Sequence, residues 1–199
     1  KGPGTYIRRF VISVADSAGK PVPNAPVDIS VDLTHYGKAF SIVSSRDTSP
    51  QVPLGAIGLT QSTTFPVAIS STTATFDFSW CANEDRNRNC FVDPGENING
   101  SLDTNNQATL EPRKSDLLIS YGDPARTTTD ANGLLIVKVE YSQRFALWLA
   151  YRVRVIANVQ GSQGIAERVF VTEFVEGDER NGSFLIPPYG SNASCTSPN

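Results

Sequence analysis

Apolar and polar residues alternate over the first part of the chain, a pattern typical of β-strands that are buried on one face. Residues 6–16 and residues 27–32 each place every second side chain on an apolar face. The segment between them is rich in glycine and proline, which favours a turn because proline cannot continue a hydrogen-bonded ladder. The apolar positions are Phe10, Ile12, Val14, Val27, Ile29 and Val31. The pattern therefore predicts two strands joined by a turn.

The same alternation returns in the last third of the chain. An Asn-Gly pair at residues 132–133 is a strong turn signal. Alternating segments follow it at residues 135–141, 151–159 and 166–174. We interpret these segments as a three-strand meander. Residues 142–149 are predicted to form a loop or one helical turn that covers an edge of the sandwich.

The middle of the chain, from about residue 36 to residue 126, has shorter apolar runs between clusters of Ser, Thr, Pro and Gly. Three of these runs still have the character of strands. They are residues 67–69, 72–80 and 117–121. The sequence as a whole therefore predicts an all-β domain with little helix.

Three segments of the sequence are similar to one known family. They are residues 14–30 (VADSAGKPVPNAPVDIS), 129–133 (TDANG) and 151–157 (YRVRVIA). These segments resemble the bacterial immunoglobulin-like repeats of the invasin and intimin kind, and the resemblance covers residues 5–32 and 127–175. It implies an immunoglobulin-like antiparallel β-sandwich in the extracellular part of a surface protein, and it carries over no catalytic residue.

The resemblance also divides the chain. Members of that family have only a short run between the two matching parts, so residues from about 36 to 126 form a long, loop-rich insertion. We expect residues 1–189 to form a single sandwich domain that includes this insertion, and residues 190–199 to form a polar C-terminal tail. An insertion of this size argues against the role of a plain spacer between repeats.

Charge is concentrated in one part of the insertion. The chain carries a net charge of -3, yet residues 81–112 hold six acidic and two basic side chains, which gives -4 there and +1 for the remainder. A local acidic segment on a nearly neutral body favours cation binding and argues against nucleic acid, which needs a basic face. No apolar run approaches the roughly 20 residues of a membrane-spanning helix, so membrane insertion is not expected.

The acidic segment has the spacing of a 12-residue calcium-binding loop. Such a loop offers oxygen ligands from positions 1, 3, 5, 7, 9 and 12, the seventh through its backbone carbonyl. These positions are Asp85, Asn87, Asn89, Phe91, Asp93 and Glu96. All five side-chain positions carry oxygen donors, which predicts a Ca²⁺ site. The sixth position, where glycine normally permits a sharp bend, is Cys90, so we expect weaker binding or a different bend.

A second run has a similar rhythm. Its candidate ligands are Asp103, Asn105, Gln107, Thr109 and Glu111. The twelfth residue of this run is a lysine, so we interpret it as a weaker half-site led by Asp103 and Asn105. The alternative for both runs is that Asp and Asn simply form turns. The pair of runs resembles the calcium loops of dockerins, but no amphipathic helix follows the first, which implies a free-standing loop.

Three cysteines allow one disulfide and leave one thiol, and spacing does not choose among the three pairings. A bridge from Cys81 to Cys195 would close a very long loop and contribute up to about 4.7 kcal/mol in the chain-entropy model. A bridge from Cys81 to Cys90 would brace the calcium loop instead. The resemblance to the immunoglobulin-like family implies the first pairing, because its members have a cysteine before the acidic loop and another near the end, with glycine in place of Cys90. Cys90 would then be free to pair between chains.

Catalysis is not expected from this sequence. His35 is the only histidine, so a His-based catalytic group or zinc site lacks partners. We expect a non-catalytic structural or adhesive module of a bacterial surface protein, located at the cell surface or outside the cell and stabilised by calcium. Its expected partners are other domains of the same protein or neighbouring subunits.

Two alternatives remain open for the function. The first is a subunit or decoration of an extracellular filament that assembles by strand addition at an open sheet edge. The second is a carbohydrate-binding accessory module of a secreted enzyme, in which Trp80 or Trp148 stacks on a cell-surface glycan.

Overall fold

The structure, a computed structural model, describes residues 4–45, 63–69, 72–122, 125–159, 161–175, 186–192 and 194–198. Its strands are β1 (Thr5–Ser13), β2 (Val27–Ser45), β3 (Thr63–Ile69), β4 (Thr72–Ala82), β5 (Leu117–Tyr121), β6 (Leu134–Ser142), β7 (Leu149–Val159) and β8 (Ser162–Val171). Within the described residues, helical structure is limited to two 3₁₀ turns, Lys114–Asp116 and Gln143–Phe145. None of the described segments forms a helix with the length and apolar character needed to span a membrane.

The strands form two antiparallel sheets, which confirms the predicted all-β sandwich class. One sheet contains β3, β4, β2, β7 and β8 in that spatial order, and the other contains β1, β6 and β5. The short apolar runs of the middle segment correspond to β3, β4 and β5. Polar residues separate these runs in the sequence, and β3 pairs with β4 while β5 pairs with β6.

The core lies between the sheets and is built from the alternating positions of β6 and β7. The buried residues of these two strands are Leu135, Val137, Val139, Tyr141, Tyr151, Val153, Val155 and Ala157. Each side chain of this size contributes about 1.5–3 kcal/mol when it is fully buried. The apolar alternation predicted from the sequence is therefore the pattern that directs one face of each strand into the core.

The predicted three-strand meander is wrong at its first strand. β6 pairs with β1 and β5, whereas β7 and β8 form a hairpin in the other sheet. The chain crosses between the sheets through a buried segment in which Ala146, Leu147 and Trp148 are 0%, 5% and 1% exposed. This segment therefore lies in the core and does not cover an edge. Alternation identifies a strand but does not specify which sheet contains it.

Strand β2 positions the acidic segment. Residues 27–36 of β2 pair with β7, and residues 35–45 pair with β4, so its two neighbours are offset along its length. β4 ends opposite His35, close to the point where the two pairings meet, and the acidic segment begins there. The insertion adds β3 and β4 to one sheet and β5 to the other, at the three strand-like runs of its sequence.

Candidate metal centre

The loop predicted to bind calcium follows directly on β4. Asp85 is 7% exposed and organises the first half of the loop. Its Oδ1 accepts a hydrogen bond from the backbone N–H of Asn89 at 3.1 Å, and its Oδ2 accepts one from the N–H of Cys90 at 2.9 Å. The chain therefore curls around the carboxylate of the first candidate ligand.

The other four side chains of the loop also make hydrogen bonds within it. The side-chain amides of Asn87 and Asn89 donate to Oδ2 of Asp93, at 2.7 and 2.8 Å. Glu96 closes the loop, since its two carboxylate oxygens accept from the backbone N–H groups of Arg86 at 2.8 Å and Asp93 at 3.1 Å. The structure thus joins the side chains of Asn87, Asn89 and Asp93 to one another, whereas Asp85 and Glu96 bind backbone N–H groups of the same loop.

The donor set suits a hard cation. Three carboxylates and two amides supply only oxygen, which is the preference of Ca²⁺ and not that of Zn²⁺. In the part of the chain that the structure describes, no three His, Cys, Asp or Glu side chains lie close enough to hold a metal ion on their own. An ion in this loop would therefore depend on the amide oxygens of Asn87 and Asn89. The Asn87 oxygen accepts a hydrogen bond from the backbone N–H of Asn89 at 3.0 Å, and the Asn89 oxygen accepts one from the N–H of Phe91 at 2.8 Å.

The loop bends at two residues with left-handed backbone conformation. Arg88 has φ of 63° and Cys90 has φ of 66°. The second bend lies at the sixth position, where such loops normally have glycine, and it occurs here in spite of the Cβ atom. Phe91, the residue predicted to contribute its carbonyl, has a side chain that is 73% exposed.

Arg88 attaches the loop to the sandwich. Its Nε lies 2.7 Å from Oδ1 of Asp32 on β2, and its guanidinium also donates to the backbone carbonyl of Asp85. His35 lies near this pair, and burial together with the Arg88 charge lowers the pKa of the imidazole. An exposed ion pair of this kind contributes only about 0–1 kcal/mol, so it orients the loop more than it stabilises the fold.

A buried polar cluster lies beneath the loop. Glu84 and Asn99 are 1% and 2% exposed, and the Asn99 amide donates to Oε2 of Glu111 at 2.5 Å. Ser101 donates to the other oxygen of Glu111 at 3.1 Å, and the hydroxyl of Tyr36 donates to Glu84 at 3.4 Å. We call these five residues the base cluster, because they join β2 to both ends of the acidic segment.

Burial dominates the electrostatics of the base cluster. It raises the pKa of both Glu84 and Glu111, while hydrogen bonds to the two carboxylates oppose the shift. Lys38 on β2 is fully buried beside them, and its pKa is lowered by burial although both glutamates favour its charged form. Its ammonium group donates to the backbone carbonyl of Ser197 in the C-terminal tail.

The second candidate run is divided between two places. Oδ1 of Asp103 accepts from the N–H groups of Asn105 at 2.8 Å and Gln107 at 2.9 Å. Thr109 donates its N–H to the carbonyl of Ser101. The carboxylate of Glu111 belongs instead to the base cluster. The structure therefore does not bring Asp103 and Glu111 together in one cage.

The Asp103 turn has the same construction as two other turns of the sandwich. In each, an aspartate carboxylate accepts from the N–H groups two and four residues later, and a residue with positive φ follows three positions after it. The three pairs are Asp16 with Gly19, Asp103 with Asn106, and Asp130 with Gly133. This likeness supports the alternative that Asp and Asn in the second run serve a turn.

The disulfide joins Cys81 and Cys195, which are separated by 114 residues and whose Cα atoms are 5.5 Å apart. The pairing implied by the family resemblance is confirmed, and the alternative of Cys81 with Cys90 is wrong. Cys90 is a free, exposed thiol. The predicted tail is pinned to the domain, since Tyr189 just before it is also buried and donates its hydroxyl to Asp116 at 2.7 Å.

Several residues weighed for other functions lie in the interior. Trp148 is 1% exposed in the core, so it is not available to stack on a glycan. Trp80 is partly buried and packs against the same core. His35 is half-buried on β2 near Arg88.

Sequence reasoning missed the base cluster. Glu84 and Glu111 are 27 residues apart, and Tyr36 and Lys38 lie on a strand far from both in the sequence. A single sequence contains no periodicity that links such positions. The sequence shows only that Glu84 follows one predicted strand and Glu111 precedes another. Such a position does not distinguish a buried carboxylate from an exposed one.

The chain matches no protein-family model, no curated protein and no solved structure.

Proposed function

We propose that the chain is a non-catalytic, extracellular immunoglobulin-like module whose insertion binds one Ca²⁺ in the loop from Asp85 to Glu96. One observation carries the proposal: the side chains at all five calcium-loop positions make hydrogen bonds whose partners lie within residues 85–96. A simple turn engages one carboxylate with nearby N–H groups.

Calcium would relieve a specific electrostatic conflict. Asp85, Asp93 and Glu96 put three carboxylates within twelve residues, and like charges repel one another more strongly the closer they lie. Backbone and amide N–H groups compensate them in part. A divalent cation would compensate them directly, and extracellular modules of this kind bind with dissociation constants of roughly 10⁻⁴ to 10⁻³ M.

The surface location is supported by two observations. The disulfide is of the kind that persists in oxidising compartments. The resemblance of residues 5–32 and 127–175 to invasin and intimin repeats points to the same environment, and it favours a structural or adhesive role with neighbouring domains as partners.

Thermal unfolding of the full chain with calcium and with chelator tests the proposal. At calcium tenfold above its dissociation constant, linkage gives about 1.4 kcal/mol, which corresponds to a rise in Tm of about 3–6 °C for a domain of this size. We expect Asp93→Ala to abolish the rise, and Asp130→Ala, which alters a turn of the other sheet, to retain it. An unchanged Tm of the parent chain, together with no heat of calcium binding by calorimetry, would overturn the proposal.

A second candidate, assembly by strand addition, is favoured by the edge at β8. Within the described residues β8 pairs only with β7, and its residues from Ser162 to Arg168 are exposed. A groove of about 660 Å³ lies between β1 and the β7–β8 hairpin, and its lining includes Ile12, Val155 and Ile165. An extended strand from a neighbouring subunit would pair with the free edge and cover this groove. Light scattering during size-exclusion chromatography tests it: a monomer at every concentration would reject this candidate.

A further inference from the structure

We propose that Glu84 is a positioning residue for the calcium loop: it holds the two ends of the loop together before any ion binds and is not itself a ligand. This inference rests on the proposed function. It assigns a role to a buried carboxylate that lies one residue before the first candidate ligand.

The contacts of Glu84 connect segments that are remote in sequence. Oε1 accepts from the backbone N–H of Asn99 at 3.0 Å and from the hydroxyl of Tyr36 at 3.4 Å. Oε2 accepts from the backbone N–H of Glu111 at 3.1 Å, and the N–H of Glu84 donates to the Glu111 carbonyl at 2.9 Å. One side chain thus binds β2, the segment that follows the loop, and the segment around Glu111 that leads to β5.

The position of these contacts defines what they do for the loop. Glu84 precedes Asp85, and Asn99 follows Glu96 by three residues. The hydrogen bond between Glu84 and Asn99 therefore closes the chain at the foot of the loop. Asn99 in turn donates its side-chain amide to Glu111, so the closure is joined to the rest of the base cluster.

The same contacts leave Glu84 unsuited to be a ligand. Its side chain is 1% exposed, and both of its oxygens accept hydrogen bonds from groups that lie outside residues 85–96. The candidate ligands differ from it, because the partners of Asp85, Asp93 and Glu96 lie within the loop. A carboxylate that supports the ligands from outside their shell typically changes metal affinity by about 10- to 100-fold when it is replaced.

If the ends of the loop are already held together, the chain loses less conformational entropy when the ion binds, and binding is stronger. Without the closure, residues from Asp85 to Glu96 would have to be ordered during binding, against the repulsion of three carboxylates. The loop would remain able to bind, but at a higher calcium concentration.

The test is calorimetric titration of Ca²⁺ into the full chain and into Glu84→Gln, which keeps the size of the side chain but places an amide N–H₂ against an N–H donor. We expect the variant to bind about 10- to 100-fold more weakly. The matched control is Tyr141→Phe, which removes buried hydrogen bonds to Glu173 in another part of the sandwich and should lower Tm without changing calcium affinity. Equal affinity of Glu84→Gln and the parent chain would overturn this inference alone, whereas no binding by the parent chain would overturn the proposed function as well.

Hydrogen exchange gives a second measurement, which needs no variant to fold. In the calcium-free parent chain, the amide protons of Asn99 and Glu111 should exchange slowly, because Glu84 holds both. Exchange of these two amides at the rate of unstructured chain would show that the closure does not exist before calcium binds, and would overturn the inference.

Discussion

Cys90 lies at a left-handed bend of the candidate calcium loop, with φ of 66°. A residue with a Cβ atom in this conformation costs about 1–2 kcal/mol relative to glycine. The bend is nevertheless retained, since the N–H of Cys90 donates to Asp85 and the thiol points to solvent. The hydrogen bond to Asp85 thus favours this bend, against the intrinsic backbone preference of Cys90.

Replacing Cys90 separates the effect of the backbone from that of the thiol. We expect Cys90→Gly to be more stable than Cys90→Ala by about 1 kcal/mol, because both lack the sulfur and only alanine keeps the Cβ atom. Urea denaturation of the two variants under reducing and non-reducing conditions measures the difference. Equal stability, or a more stable alanine variant, would mean that the loop relaxes out of the left-handed bend.

The raised pKa of Glu111 predicts that the free energy of unfolding depends on pH. Burial, reinforced by the charge of Glu84, raises its pKa above the ordinary value of 4.5. The native state therefore keeps this proton to higher pH than the unfolded state does, so the unfolding free energy falls as pH rises through the window above 4.5.

Glu111→Gln should reduce this fall, because glutamine does not titrate. We expect the calcium-free parent chain to lose stability as the pH rises above 4.5, and the variant to lose less. Glu84 and Asp116 contribute with the same sign, and His35, whose pKa is lowered, contributes with the opposite sign. Thermal unfolding at a series of pH values measures the slope, and an undiminished slope in the variant would contradict this assignment.

The three aspartate turns are the elements that join neighbouring strands or close a hairpin. In each, the aspartate carboxylate accepts hydrogen bonds from two backbone N–H groups of the turn, and a residue with positive φ follows three positions later. Two of the three use glycine there, but their surroundings differ. A Cβ on Gly133 would lie 2.6 Å from the carbonyl oxygen of Val14, whereas a Cβ on Gly19 would meet no atom within 4 Å.

These two glycines form a matched pair for mutation. Gly19→Ala carries only the conformational penalty, so we expect a loss of about 1 kcal/mol. Gly133→Ala adds a clash with backbone atoms, and overpacking of this kind costs a further 1–3 kcal/mol, roughly. Denaturant unfolding of both variants checks the order, and a larger loss for Gly19→Ala would contradict the close approach of the two chain segments.

The strands themselves were largely predictable from the sequence, and their arrangement was not. Alternation identified β1, the first part of β2, and β6 to β8, because burial on one face requires a period of two. It did not reveal that β6 lies in the other sheet from β7. Alternation looks the same whether β6 lies beside β7 or in the opposite sheet. The structure places β6 in the opposite sheet through the buried crossing at Leu147 and Trp148, and their apolar side chains do not reveal this from the sequence.

The hydrogen bonds within residues 85–96 have a related origin, because their partners are close in sequence and local spacing determines their geometry. Calcium binding by this loop stays a prediction. Glu84 and Glu111 could not be assigned in this way, because their role arises only when β2, β4 and the return of the insertion meet. The split of the second run, with Asp103 in a turn and Glu111 in the base cluster, has the same origin.

The disulfide and the tail act on the molecule as a whole. Cys195 returns the C-terminal segment to β4, and Tyr189 packs against Tyr36 with ring centroids 5.1 Å apart. The tail therefore covers the part of β2 that carries Lys38 and the base cluster. Loss of the bridge should free this segment and the long loop that it closes.

We expect the double variant Cys81→Ala with Cys195→Ala to lose about 2–4 kcal/mol of unfolding free energy. Cys90→Ala is the control and should change stability little, because its side chain is exposed. Urea unfolding gives the energies, and thiol titration of the unfolded, non-reduced parent chain should find one free cysteine. Three free cysteines would contradict the bridge.

The bridge also determines how mechanical force would pass through the chain. Tension applied to the two ends would run to Cys81, cross the sulfur atoms to Cys195 and leave without entering residues 82–194. The candidate calcium loop and strands β5 to β8 would carry none of this load along their backbone. Extension of the molecule would be limited to β1 to β4 and their connections, and residues 82–194 would remain within a covalently closed loop.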